Sequence, residues 1–184
     1  MKFLPTELPG VVIVEPDVHR DARGWFVETW SAPKYAAGGI EATFVQDNHS
    51  HSVRGTLRGL HAQTPHAQAK LLRAAVGEIF DVAVDIRRGS PTFGKWVGVV
   101  LSAETGRQIY IPEGFAHGFC VLSETADLAY KCTDVYVPQD EITLRWDDPA
   151  VGVAWPIADP LLSPRDASAK TLAELGDRLP IFRG

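Results

Sequence analysis

Short runs of β-branched and aromatic residues, each closed by a turn signal, recur along this chain and restrict its fold more than any other feature. Val11 to Val14, Trp25 to Trp30, Ile79 to Ile86, Trp96 to Leu101, Gln108 to Ile111, Gly118 to Leu122 and Leu128 to Cys132 all read as strands. Arg88-Gly89-Ser90-Pro91, Glu104-Thr105-Gly106 and Pro112-Glu113-Gly114 punctuate them as turns. Short strands at this spacing predict a mainly β, antiparallel sandwich or barrel. Helix signals are few. Ser31 to Ala37 reads as a short helix stopped by Gly38-Gly39. Ser163-Pro164 followed by Arg165 to Leu175 reads as a helix near the C-terminus, capped at its start and stopped at Gly176. A chain of 184 residues supports one sizeable core, so residues 1–184 are expected to form a single domain.

Composition excludes several classes of function. The net charge of −5 lacks the basic footprint that nucleic-acid binding needs, so no nucleic-acid partner is expected. No apolar stretch approaches the ~20 residues of a membrane span. Met1 to Gly10 holds Pro5, Glu7 and Pro9 and no continuous apolar run, so no signal peptide is expected and the reading is cytoplasmic. Two cysteines, Cys120 and Cys132, are too few for an extracellular disulfide scaffold and read as reduced thiols.

Gly106 to His117 has the form G-x5-P-x-G-x2-H. Pro112 and Gly114 suit a tight turn between two strands, and His117 then starts a strand that faces a barrel interior or its mouth. The pattern resembles the second conserved stretch of cupins, which are double-stranded β-helix (jelly-roll) proteins. In metal cupins an earlier H-x-H supplies two more ligands. Here that stretch is His61-Ala62-Gln63, and glutamine is a poor ligand for transition metals. His49-Ser50-His51 alternates correctly for two rings on one strand face and is the rival metal site. It also reads as a polar surface strand, and His117 also reads as a satisfied core histidine.

Arg58, Leu60 and Ala62 would face one way along an extended strand, and Gly59, His61 and Gln63 the other. A glycine kink or bulge would let Arg58 and His61 reach one cavity. Longer runs carry a broader resemblance: Phe44 to Ser50, Leu57-Arg58-Gly59-Leu60-His61, Gln68-Ala69-Lys70-Leu71, Phe80 to Arg87, Ser90 to Gly94, Ile111 to Phe119 and Tyr130-Lys131. In this order, from about Arg23 to Asp166, they resemble the dTDP-4-dehydrorhamnose 3,5-epimerase family.

The resemblance implies a cupin-like jelly roll, usually a homodimer, that acts on dTDP-4-keto-6-deoxyglucose to give dTDP-4-keto-L-rhamnose with no metal and no organic cofactor. Carried onto this chain, His61 is the general base, Tyr130 the general acid, Asp166 the partner of His61, and Lys70 the group near the 4-keto oxygen. Arg23, Glu28, Gln46, Asp47, Asn48, Arg58, His117, Glu141 and Arg165 are expected around the substrate, with the arginines favouring its diphosphate. Phe26 or Tyr136 could stack on thymine, and the strand from Val11 to Val14 could swap between subunits.

These residue types suit the chemistry. Carbons 3 and 5 flank the carbon 4 ketone, so loss of a proton from either gives an enolate. A cation such as Lys70 stabilises that charge electrostatically. A positioned histidine base is worth ~10²–10⁴-fold. Inversion then needs a proton delivered to the opposite face, and tyrosine is neutral and protonated at pH 7. An aspartate on the far nitrogen of His61 would fix its tautomer. Blander readings stand beside these: Arg23 as a solvated turn residue, Lys70 as an edge lysine, Tyr130 as a core tyrosine, and Asp166 as a first-turn carboxylate favoured by the helix dipole. Two departures stand out. Ala62 occupies a position where the family has a bulky aromatic, and Arg165 one where a lysine precedes the aspartate. The first could redirect which carbon is inverted, so a 3- or 5-mono-epimerase remains an alternative. The other rivals are a metal-dependent cupin enzyme and a non-catalytic sugar-nucleotide-binding cupin.

Overall fold

Side chains alternate across each strand, and that alternation sorts the chain into two facing sheets. The computed structural model describes residues 1–183; Gly184, the last residue of the expected domain, lies outside the described residues. In chain order the elements are β1 (Lys2–Pro5), β2 (Val12–Glu15), β3 (Val18–Asp21), β4 (Gly24–Val27), α1 (Ala32–Ala37), β5 (Gln46–Val53), β6 (Leu57–Gln63), β7 (Lys70–Val76), β8 (Glu78–Asp85) and β9 (Trp96–Ser102). Then follow β10 (Gln108–Ile111), β11 (Phe115–Val121), β12 (Thr125–Cys132), β13 (Glu141–Thr143), α2 (Pro164–Ala167) and α3 (Leu172–Leu175). One sheet runs β1-β2-β10-β7-β12-β5, the other β13-β6-β11-β8-β9, and β3-β4 form a separate hairpin. Pairings within the sheets are antiparallel, as expected of a jelly roll. Among the described residues no helix is long and apolar enough to cross a membrane.

The main core lies between the sheets. Leu72, Ile109, Ile111 and Leu128 of the six-stranded sheet meet Ile79, Ala83, Leu101, Phe115 and Phe119 of the five-stranded one. A second core covers the outer face of the five-stranded sheet: Leu60, Val82, Val84, Ala116 and Ile142 pack against Val151, Leu172, Leu175 and Leu179. That sheet is therefore covered on both faces. This explains why Val82-Ala83-Val84 is continuously apolar and why every residue of β11 is buried. A third cluster, Tyr35, Ile40, Val14 and Leu71, seats α1 on the outside of the larger sheet.

One expectation changes. The expected helix from Arg165 to Leu175 is two single turns. It breaks because Lys170 bridges to Leu144 and Thr171 starts a fresh capping box with Glu174. Within the chain, β2 (Val12–Glu15) pairs with β1 on one side and with β10 on the other. The polar segment Gln46 to Val53 is a full strand at a sheet edge. Both free cysteines are buried.

At one end of the five-stranded sheet, Asp85 is wholly buried. Its carboxylate accepts from Arg87 at 2.9 and 2.7 Å, from Ser90 at 2.6 Å and from Thr92 at 2.7 Å. The Arg87 guanidinium lies 4.4 Å from the Phe115 ring centre and 5.0 Å from that of Phe182. Burial pushes the Asp85 carboxyl upward, but Arg87, Ser90 and Thr92 outweigh it and leave its pKa below the ordinary value. Stability from this group is thus present above the ordinary carboxylate pKa and lost as pH falls through the depressed one. Asp85→Asn should cost about 3 kcal/mol in urea unfolding at pH 7, because it removes the buried charge that pairs with a largely covered guanidinium. The gap between the two proteins should close as pH falls through the depressed pKa of Asp85; a gap independent of pH would contradict this account.

Candidate active site

One turn of backbone geometry brings the site together. Gly59 has φ +121°, and the β6–β11 register shifts between His117 and Phe119. A Cβ at Gly59 would lie 2.6 Å from the Gly118 Cα and 2.8 Å from the His117 carbonyl oxygen, so only glycine fits. The expected kink is present, and Arg58 and His61 line the same cavity. That cavity measures about 440 Å³ and adjoins a second of about 390 Å³. His61, Lys70, Tyr130 and Arg165 line both.

The two sheets supply different groups. The five-stranded sheet provides His61 on β6, directly opposite His117 on β11. The six-stranded sheet provides Tyr130 on β12 and Lys70 on β7, where Lys70 pairs with Cys132 two residues beyond Tyr130. Asp166 arrives from α2, held by the hydrogen bond from its own backbone N–H to the Ser163 side chain. A first-turn carboxylate and a histidine partner thus prove to be the same residue: Asp166 Oδ1 lies 2.6 Å from His61 Nε2. A carboxylate only accepts, so the shared proton sits on Nε2, and the neutral ring of His61 has its lone pair on Nδ1. Burial raises the Asp166 carboxyl, yet the His61 bond and charge, Ser163 and Arg165 together hold it below the usual carboxylate range.

Burial sets the remaining protonation states. It pushes the Tyr130 phenol upward, so the hydroxyl keeps its proton well above neutrality. It lowers the Lys70 ammonium, against the opposing pull of Cys132, Glu141 and Asp81. Among the described residues Lys70 forms no ion pair within 4.0 Å. Burial also lowers His117, despite its 2.8 Å bond to Asp81, and so favours a neutral ring.

The other expected binding residues divide. Gln46, Asn48 and Glu141 line the second cavity, where Gln46 Nε2 donates to Asn48 Oδ1 at 3.1 Å. Glu141 Oε2 accepts from Tyr136 Oη and from Arg165 Nη1, both at 2.6 Å. Arg58 is braced by Nε to Ser52 Oγ at 3.0 Å. Three residues lie elsewhere in this chain. Arg23 is on the β3–β4 hairpin with its side chain 91% exposed and paired to Asp21, Glu28 pairs with Lys34, and Asp47 faces outward to Lys131. Phe26 is exposed on the same hairpin, whereas Tyr136 lines the second cavity.

Reading the sequence left out Asp81 and Phe119 as site residues. The available signal was an aspartate in the middle of the apolar run Ile79 to Ile86, which requires a buried partner. Gln63 is committed to backbone groups. Its side chain bonds His66 O at 2.7 Å, Val135 O at 3.1 Å and the Val137 N–H at 2.8 Å, lacing two loops together at the mouth. His49 and His51 do share one strand face, but both rings bond Asp127, at 2.9 and 2.5 Å. Among the described residues no group of three His, Cys, Asp or Glu side chains converges to hold a metal ion.

Comparison with known proteins agrees on one family. The model of the family described as dTDP-4-dehydrorhamnose 3,5-epimerase matches residues 5–174. A dTDP-4-dehydrorhamnose 3,5-epimerase of Neisseria gonorrhoeae is 54% identical over 175 residues, which are 95% of this chain and 53% of that protein. The chain thus spans about half the length of that relative. The crystal structure of dTDP-6-deoxy-D-glucose-3,5-epimerase from Legionella pneumophila, in complex with dTDP-4-keto-L-rhamnose, is 49% identical. It superposes with a TM-score of 0.96 over 100% of this chain and 99% of that one. A 3'-monoepimerase from Streptomyces bikiniensis in complex with dTDP-quinovose is 38% identical, with a TM-score of 0.90 over 98% of this chain and 93% of that one.

Asp166→Asn keeps the shape of the His61 partner and removes its charge, so the amide can stabilise the wrong tautomer. Turnover should fall by about 10²–10⁴-fold with the thermal midpoint little changed. Turnover within threefold of wild type, as an order of magnitude well short of that loss, would count against His61 as a base oriented by Asp166.

Proposed function

The chain belongs to the dTDP-4-dehydrorhamnose 3,5-epimerase family, isomerases of dTDP-linked sugars, and we propose that it inverts carbons 3 and 5 of dTDP-4-keto-6-deoxyglucose to give dTDP-4-keto-L-rhamnose. One observation carries this reading: the candidate base and the candidate acid stand on opposite sheets of one cavity, with a half-buried ammonium beside the acid.

The steps follow from those positions. Nδ1 of His61 removes the proton from carbon 3 or carbon 5, and the electron pair moves onto the carbon 4 oxygen. Lys70 stabilises the enolate so formed. The phenol of Tyr130 gives its proton to the other face of the same carbon. An enolate is far more basic than a phenolate, so the raised pKa of Tyr130 does not obstruct this transfer. Solvent restores the Tyr130 proton and takes the one on His61, so the net change is inversion alone. The resemblance implies that neither metal nor organic cofactor takes part. Arg58 and Arg165 are the cavity cations suited to the diphosphate. The second cavity, with Tyr136, Gln46 and Asn48, suits the nucleoside.

A second reading is supported by a specific residue. Ala62 lines the second cavity beside His61, where a bulky aromatic would narrow it. A 3- or 5-mono-epimerase uses the same base and acid, and the likeness to the Streptomyces bikiniensis protein keeps that reading open.

Tyr130→Phe separates abstraction from inversion. In deuterated water His61 can return a deuteron to the face it stripped, so exchange at carbon 3 should continue with its stereochemistry retained. Inverted product should fall by at least ~10²-fold. His61→Asn should abolish both exchange and inversion. Inversion at the wild-type rate in Tyr130→Phe would refute the proposed acid.

A further inference from the structure

Asp81 sits on the inner face of β8 with Ile79 and Ala83 on either side of it in the main core. A carboxylate there is costly to bury and an alkyl side chain would pack as well, so its presence requires a polar task. Asp81 is fully buried. One oxygen, Oδ2, lies 2.8 Å from His117 Nε2, and the other, Oδ1, has no hydrogen-bond partner among the described residues. His117 lines the cavity between His61 and Phe119, and its ring stacks on Phe119 with 27° between the planes. The steps assigned above to His61, Tyr130, Lys70 and Asp166 do not use Asp81.

The chemistry of the pair is directional. A carboxylate only accepts, so Asp81 fixes the proton of His117 on Nε2 and leaves Nδ1 as a lone pair. His117 thereby repeats the arrangement of His61 and Asp166 on the neighbouring strand, again through Nε2. The two imidazoles differ in their surroundings: Asp166 is joined by Ser163 and Arg165, whereas among the described residues the Asp81 carboxylate bonds His117 alone.

We propose that Asp81 is a positioning residue for the epimerisation: it locks His117 in the tautomer whose bare Nδ1 accepts a hydrogen bond from a hydroxyl of the 4-keto sugar, and so sets the ring in register with His61. This rests on the epimerase reading, with the sugar as the hydroxyl donor. A neutral ring is what the role requires, because a protonated one would donate and turn the hydroxyl the wrong way round. Burial of His117 favours that neutral form.

The test combines a spectroscopic readout with a double-mutant cycle. In uniformly ¹⁵N-histidine-labelled protein, with the His117 signals assigned by their loss in His117→Gln, wild type should show a neutral ring protonated at Nε2. Asp81→Asn should shift His117 toward the Nδ1-protonated form. It should lower kcat/KM at least about tenfold, as a disturbed tautomer does in other His–Asp pairs. Asp81→Asn combined with His117→Gln should be no worse than His117→Gln alone, because Asp81 acts through that ring. A wild-type ring protonated at Nδ1, or additive losses in the double variant, would overturn the proposal. The tautomer is read without substrate, so an Nε2-protonated ring in a protein that exchanges no substrate hydrogen would sink the epimerase reading and not the geometry of the pair.

Discussion

Close contact of Gly59 with Gly118, where β6 crosses β11, is the constraint on which the rest of the site depends. An ordinary extended strand sends Arg58 and His61 to opposite faces. One face of this sheet is sealed by the second core, so a residue sent there has no access to substrate. The positive φ at Gly59 and the register shift opposite it put both side chains on the cavity side. The outward-facing Leu60 and Ala62 still reach the second core. Neither glycine tolerates a side chain: a Cβ on Gly118 would lie 2.7 Å from the Arg58 carbonyl oxygen. Backbone conformation thus delivers two side chains to one cavity at no loss of core packing.

Around that crossing the fold buries charge selectively. Asp81, Asp85 and Asp166 are all buried, yet their partners differ. Asp85 is saturated by an arginine and two hydroxyls and serves the frame. Asp166 and Asp81 each hold one imidazole by one short bond. Low-dielectric surroundings strengthen such bonds and fix which nitrogen carries the proton. The same burial leaves Lys70 without an ion pair among the described residues, with its ammonium free to meet charge that develops on a ligand.

Much of this was legible in the sequence. Short runs such as Leu128 to Cys132, closed by turns such as Pro112-Glu113-Gly114, pointed to an antiparallel sandwich or barrel, and the fold is two facing sheets. Continuous apolar runs hid the facing of β8 and β11, since both sides of that sheet are covered. Gln46 to Val53 carries almost no apolar signal, because its inner face meets the polar cavity rather than the core. The roles expected of His61, Lys70, Tyr130 and Asp166 came from resemblance; from the residues alone Lys70, Tyr130 and Asp166 also had a structural reading. Arg23 lies on a solvated hairpin of this chain, paired to Asp21 and away from the cavity that His61 and Tyr130 line. Asp81 was visible as a charge inside an apolar strand, but only the fold pairs it with His117.

The central claim is a double inversion by proton transfer on one enzyme surface, without a metal. Proton NMR of dTDP-4-keto-6-deoxyglucose with chelator-treated wild-type enzyme in deuterated water tests it most directly. The account predicts deuterium at both carbon 3 and carbon 5 and accumulation of the rhamno-configured ketone. Deuterium at a single carbon would contradict the double inversion and point to Ala62, and exchange at neither carbon would contradict the proton-transfer account itself.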